Sequence, residues 1–338
     1  VVLGIEVAAR AGSLDTYEQL LPTVLVQADD PIFGTEEHDY ATTQGLVLQA
    51  ATAAGDAPTA EAARAFLIGD QLAGGWGMAW TWDAFSDGSL TVADTPFAVT
   101  TAIAIDSLLA AGVDDLEARR LGEILVTWAE DAWTDGYYWY SLGIQDAIDT
   151  PNVSAMLAGA TATFLRDHET VLTNAEAALL RRRVEATLEH LGATHDEHLR
   201  WIYSVRHDIV NDLGHHVYIL WGAERAREAG FEVPWTRADA VASISAYGSV
   251  YPADIDQTPA MLARRGSPWQ TSGTGSALAF SATWGGDLRR WANATCETLE
   301  LTAREPRFDA HALLGMALAG LCDCPNRRLP RALPISSC

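Results

Sequence analysis

Lysine is absent from this 338-residue chain. Its 22 basic residues are all arginine, against 45 Asp and Glu, and the net charge is −23. A surface this acidic repels phosphates, which excludes nucleic acid as a partner. The acidity has two readings, and both stay open here. One is solubility combined with a high-GC codon bias. The other is a saline or extracellular setting, where salt screens the self-repulsion. Long apolar runs are also missing. None reaches the roughly 18 residues that would suggest a membrane-spanning helix. The opening VVLGIEVAAR has no basic leader, so no intact signal peptide is expected. No phosphate-binding glycine loop and no dinucleotide fingerprint occurs, so no cofactor is expected.

Cysteine is scarce and unevenly placed. Cys296 stands alone, and Cys322, Cys324 and Cys338 fall in the tail CDCPNRRLPRALPISSC. The CDC spacing does not suit zinc, and no His-x-x-x-His partner accompanies it. The preferred reading is two disulfides stapling the tail 322–338 onto the helix near Cys296, in a secreted, cell-surface or periplasmic protein. Buried free thiols in a cytosolic protein are the alternative. Asn152-Val153-Ser154 and Asn293-Ala294-Thr295 are glycosylation sequons, a pattern common by chance.

What the chain does have is 49% hydrophobic and 20% charged residues, the composition of a globular protein with a large core. Its segments alternate between two helix types. Amphipathic segments start near Leu14, Thr59, Asp114, Leu172, Thr236 and Leu288, each with a charged face and an apolar stripe at helical spacing. Segments rich in Ala and Gly start near His38, Ala93, Ile148, Asn211, Thr271 and Phe308, with little charge beyond the first turn. A helix with no polar face has to be surrounded by protein. Six of each kind in strict alternation predict an all-α fold over residues 1–338. This is an (α/α)6 toroid, with the apolar set as inner ring and the amphipathic set as outer ring.

The connections from inner to outer segments are short, and those from outer to inner are long: 74–93, 133–149, 194–211 and 249–271. The long ones emerge together, beside the N-termini of the inner helices. They hold Trp76, Trp80, Trp82, Trp133, Trp139, Trp201 and Trp269, seven of the twelve tryptophans. Tyr137, Tyr138, Tyr140, Tyr203 and Tyr251 join them. Flat aromatic faces suit the C–H faces of sugar rings, so Trp76, Trp80, Trp82, Tyr138, Trp139, Trp201 and Trp269 are candidate substrate contacts. The competing reading is that the loops use these rings as small cores of their own.

The densest titratable stretch runs from Trp201 to Gly230. Uronate β-elimination needs a donor pair for the carboxylate, a base for the C5 proton and an acid for the leaving oxygen. Asn152 and Asn211 are candidate donors, His215 or His216 a candidate base, and Tyr203 or Tyr218 a candidate acid. Arg206 could hold a carboxylate bidentately. Hydrolysis would instead need two carboxylates across the pocket. Asp39, Asp83, Asp94, Asp149, Asp212 and Asp309 lie near inner-helix starts, and Asp94 with Asp149 is the pair to test. The bland reading is that Asn211 and these aspartates are helix caps and the histidines buried structural groups. His207, Asp208, Asp212, His215 and His216 match no defensible metal spacing, and Ca²⁺ at 83–87 or 254–256 is equally weak.

The twelve alternating segments with aromatic loops resemble the (α/α)6 toroids of carbohydrate-active enzymes: alginate-lyase-type polysaccharide lyases, uronate epimerases and unsaturated glucuronyl hydrolases. WQTSGTGSALAFSATWGG, from Trp269, resembles the Ser-Gly-Thr helix start of the glucuronyl hydrolases. NDLGHHVY, from Asn211, is similar to the Asn/His/Tyr run of the alginate-lyase type, with a different internal spacing. GGWGMAWTWDAFSDGS, from Gly74, is similar to Gly-Gly-Trp turns of terpene-cyclase toroids, although the acidic motif expected there is reduced to Ala93-Asp94-Thr95. The resemblance implies a glycan substrate cleaved by β-elimination, or hydrolysis by paired carboxylates on the same scaffold. A non-catalytic glycan-binding or structural surface protein is the rival from another class.

Overall fold

The computed structural model describes residues 41–54, 56–78, 81, 88, 90–248, 250–263, 266–301 and 306–320. Within these the chain is helical. The inner helices are α1 (Ala41–Ala54), α3 (Ala98–Ala111), α5 (Pro151–His168), α7 (Leu213–Glu228), α9 (Pro268–Trp284) and α11 (Pro306–Leu318). The outer helices are α2 (Ala57–Gly69), α4 (Asp115–Asp131), α6 (Asn174–Thr194), α8 (Arg237–Ser245) and α10 (Leu288–Leu301). Each inner helix packs on the next, α1 on α3, α3 on α5, α5 on α7, α7 on α9 and α9 on α11, and α11 returns to α1. The ring therefore closes, and the fold is an all-α (α/α)6 toroid. The sixth amphipathic segment expected, from Leu14, lies outside the described residues, as do Cys322, Cys324, Cys338 and the rest of the tail 322–338.

The inner helices can crowd because glycines stand where neighbouring helices of the ring touch. A Cβ built on Gly222 of α7 would sit 2.0 Å from the Ala155 carbonyl oxygen of α5, and one on Gly159 would meet the Gly222 backbone at 2.6 Å. Gly275 of α9 and Gly315 of α11 approach the facing backbone just as closely, with 2.4 Å in each case. Parallel alignment shows in two side-chain bonds, Thr42 Oγ1 to Thr100 Oγ1 (3.3 Å) and Gln49 Nε2 to Ser107 Oγ (3.0 Å), both spanning 58 residues. A constant offset means that α1 and α3 run side by side in the same direction.

Helix starts follow the capping chemistry of the sequence. Asp114, Thr173 and Thr236 form reciprocal capping boxes with Glu117, Glu176 and Asp239 at the outer helices. The inner helices depart from expectation. Asp94 is exposed in a left-handed turn (φ 61°), and uncapped Phe97 occupies the N-cap of α3. Thr150, not Asp149, occupies the N-cap of α5. In both Asp-Thr-Pro motifs the proline's fixed φ sets the chain direction near the helix start, and the aspartate is left outside the cap.

The long connections hold two small antiparallel hairpins, β1 (Trp133–Thr134) with β2 (Tyr137–Tyr138), and β3 (Ile202–Ser204) with β4 (His207–Val210). Several loop tryptophans work as anchors. Trp76 Nε1 donates to Leu67 O in the last turn of α2 (2.7 Å), and Trp201 Nε1 donates to Leu191 O in the last turn of α6 (3.0 Å). The last carbonyls of a helix lack intrahelical donors, and a buried indole N–H supplies one while filling space.

The backbone approach at Gly222 leads to a test. Gly222→Ala should lower stability by roughly 3 kcal/mol, at the upper end of overpacking costs, in urea unfolding. Gly69→Ala, built into open space, should stay within about 1 kcal/mol of wild type. Equal, small effects for both would mean that the ring does not depend on this contact.

Candidate active site

The start of α7 organises the mouth of the ring. Asp212 occupies its N-cap, and its Oδ1 accepts from the His215 backbone N–H (3.1 Å) and from His215 Nδ1 (2.9 Å). The imidazole stands at the third helical position, where a capping box would place a glutamate. With Nδ1–H committed to the carboxylate, Nε2 is left as a proton acceptor, the arrangement by which proteins orient a catalytic base. The His215 side chain is 14% exposed.

One residue on, the helix turns by about 100°, and His216 points to the outer ring. It is fully buried, stacks on Tyr247 (centroids 4.7 Å apart) and bonds Ser243 Oγ through Nε2 (3.0 Å). Burial pushes its pKa down to about 3, so it stays neutral in the folded protein. The two adjacent histidines that the sequence could not tell apart are thereby separated. His216 has no access to a ligand, which removes it as a candidate base.

Aromatic rings gather around His215. Tyr203, from β3, meets it edge-on at 5.0 Å, Trp269 of α9 tilts against it at 5.6 Å, and Tyr218, one turn further along α7, lies at 6.4 Å. Trp269 packs in turn on Phe308 of α11 at 4.9 Å. The Tyr218 hydroxyl bonds His311 Nε2 of α11. Three inner helices and one hairpin thus bring a carboxylate-held imidazole, two phenols, an indole and a second imidazole together. His311 was not singled out in the sequence. Its only signal there is being the titratable side chain that directly precedes the apolar run ALLGMALAGL, two residues after Asp309.

Other candidates are placed differently. Asn211 is buried. Its Nδ2 donates to Ile202 O (3.3 Å), its N–H donates to Trp201 O (2.9 Å), and its carbonyl accepts from Tyr247 (3.0 Å), so it ties the β3–β4 hairpin to the ring. Asn152 is buried in the first turn of α5, with no hydrogen-bond partner for Oδ1, and its sequon has no exposed acceptor. Asn293, of the other sequon, is exposed on α10. Arg206 is exposed at the hairpin turn and donates to Gln145 O (3.2 Å) of the neighbouring loop.

Asp94 and Asp149 do not form a matched pair. Asp94 is exposed, whereas Asp149 Oδ2 bonds His190 Nε2 (2.8 Å) of outer helix α6 and raises the histidine's pKa. Trp76, Tyr138 and Trp201 are buried in the core and offer no surface to a ligand. Burial pushes the Tyr138 phenol well above its ordinary range. Trp139 is half-buried and donates to Thr134 Oγ1 (3.1 Å). Trp80, Trp82 and Asp83 lie outside the described residues. Of the aromatic contacts proposed from sequence that fall among the described residues, Trp269 is the one seated beside His215. Among the described residues, no group of three or more His, Cys, Asp and Glu is placed to hold a metal ion. No helix of the described residues is long and apolar enough to cross a membrane.

No family model matches the chain, and no curated protein is significantly similar to it. Among solved structures it is similar to a mutant of a reducing-end-xylose releasing exo-oligoxylanase complexed with xylobiose. The TM-score is 0.54 and the identity 11%, over 94% of this chain and 93% of that one. The chain thus shares the (α/α)6 toroid fold of that protein. At this identity, fold is what the two proteins share.

The two perturbed histidines shape the acid limb of stability in opposite ways. His216 is held near 3 against an ordinary 6.5. Below pH 6.5 the unfolded chain takes up a proton that the native one refuses, so stability falls as pH falls. The loss reaches about 2 kcal/mol at pH 5. His190, whose pKa is raised, contributes stability that is full below 6.5 and is lost as pH rises through its folded value. His216→Phe keeps a ring against Tyr247 and removes the titration. Between pH 7 and pH 5, urea unfolding should show wild type losing about 2 kcal/mol more than the variant. Parallel losses would show that His216 is protonated in the native state.

Proposed function

We propose that this protein is an enzyme that cleaves glycosidic bonds of an oligo- or polysaccharide at the mouth of the ring. The observation that carries the reading is His215, oriented by Asp212 and framed by Trp269, Tyr203 and Tyr218. A base-capable nitrogen beside phenols and an indole face is a combination suited to sugar chemistry.

Hydrolysis is the reading that the fold shared with an exo-oligoxylanase supports. It needs an acid that protonates the leaving oxygen and a base that activates water. Asp94, exposed on its left-handed turn before α3, and Asp149, held by His190, are the carboxylates to test. β-Elimination is the second reading, favoured by the Asp212–His215 pair itself. His215 Nε2 would take the C5 proton of a uronate, the C4–O bond would break as C4=C5 forms, and Tyr203 or Tyr218 would protonate the leaving oxygen. Arg206, at the rim, would meet the carboxylate. A secreted or cell-surface location belongs to the same proposal. A disulfide joining Cys296 to the tail 322–338 is part of the same proposal.

The test is a panel of neutral and uronate-containing glycans. New reducing ends without absorbance from an unsaturated uronate would mark hydrolysis, and the same ends with that absorbance would mark elimination. In either case His215→Ala should lower kcat/KM by about 100-fold or more without moving the unfolding midpoint, and His216→Phe should stay near wild type. No product from any glycan, with binding retained, would replace the enzyme by a glycan-binding module.

A further inference from the structure

Gly214, the second residue of α7, stands between Asp212 and His215 in the chain and leaves a gap that no side chain fills. A Cβ built on it would touch nothing closer than 3.5 Å. Asp212 Oδ1 would lie at 3.5 Å, and Gly273 Cα and Ser272 Oγ of α9 at 3.6 Å. Gly222 and Gly275 differ, since a Cβ there would meet the facing backbone at 2.0 and 2.4 Å. Packing demands those glycines and does not demand this one. Its φ is not positive, and alanine is the better helix former. What the glycine provides at this position is space.

Ser272 borders this gap. It is 7% exposed, and its hydroxyl has no hydrogen-bond partner among the described residues. Unlike the Ser276 hydroxyl one turn further on, it is not sealed from solvent. Ser107 of α3 shows the usual alternative, a hydroxyl returned to Ile103 O one turn back. The α7 backbone adds a donor. Leu213 N–H donates to Val250 O (2.7 Å), His215 N–H to Asp212 Oδ1 (3.1 Å) and His216 N–H to Asp212 O (2.9 Å). The Gly214 N–H has no partner among the described residues. A hydroxyl, an N–H and a carboxylate around one small space match a single alcohol oxygen, which accepts from the first two and donates to the third. They do not match a carboxylate, whose charge would stand against that of Asp212.

We propose that the gap at Gly214 binds one hydroxyl group of the sugar, and that Ser272 is the residue that fixes it. Asp212 then serves two groups, orienting His215 and receiving the sugar's proton. The hydroxyl so held lies beside the imidazole, which sets the register of the sugar ring against His215. The inference rests on the glycan reading above and names the substrate group that the floor of the mouth recognises.

The test is equilibrium binding, read by calorimetry, of xylobiose, cellobiose, mannobiose and digalacturonate to the wild type, Ser272→Ala and Gly214→Ala. Each variant should bind the tightest of the four about tenfold more weakly, the loss of one hydrogen bond. Neither should unfold at a lower urea concentration than the wild type, because the alanine methyl at 214 fits the fold and only fills the gap. Monodeoxy analogues of that disaccharide then locate the hydroxyl. One of them should lose about tenfold on the wild type and nothing further on Ser272→Ala, since the partner is already gone. Unchanged binding by both variants would overturn the proposal. So would losses that add for every deoxy analogue, or a coupling of Ser272 to the uronate carboxylate in a carboxyl-reduced digalacturonate. Binding of none of the four by the wild type would remove the glycan reading itself, and the hydroxyl site with it.

Discussion

Everything in this molecule follows from how closely its inner helices approach. Where Gly222 faces Ala155 and Gly275 faces Ala312, there is no room for a single methyl group. Backbones in such contact gain dispersion energy along their whole length and exclude water from the ring interior. The cost is that no side chain fits between them at these points, so glycine and alanine stand there.

This arrangement explains why the loops matter. The connections that reach the inner N-termini are long, and a long loop has to satisfy its own backbone. Here indoles do part of that work, with Trp76 and Trp201 reaching the terminal carbonyls of the outer helices just traversed. Gln145 links neighbouring connections, donating to Leu90 O and accepting from Arg206. The mouth is thus a braced surface. Its tryptophans divide between those that hold loops in place and those, such as Trp269, that stand beside titratable groups.

The Asp212–His215 pair shows how a helix cap can also orient an imidazole. An N-cap aspartate ordinarily serves backbone N–H groups alone. Placing an imidazole three residues later adds a ring that the same carboxylate orients, at little extra structural demand. The mouth pairs this imidazole with phenols and with His311, a set of groups that serves proton transfer as readily as it serves binding. The fold shared with an exo-oligoxylanase does not specify that chemistry.

The alternation of apolar and amphipathic segments already determined the architecture. A helix without a polar face has one physical solution, and six of them have few ways to satisfy it together. The long side of the ring and its wealth of aromatics were equally legible. What only tertiary structure decided was the direction of individual side chains. His215 and His216 are neighbours in the chain, yet one meets the mouth and the other the outer ring, because a helix rotates them apart. Asp94 and Asp149 sit in identical Asp-Thr-Pro motifs and end in unlike surroundings, since the partner of Asp149 comes from His190 on a distant helix. Local sequence sets periodicity and caps, but a contact between residues far apart in the chain exists only once the ring has closed.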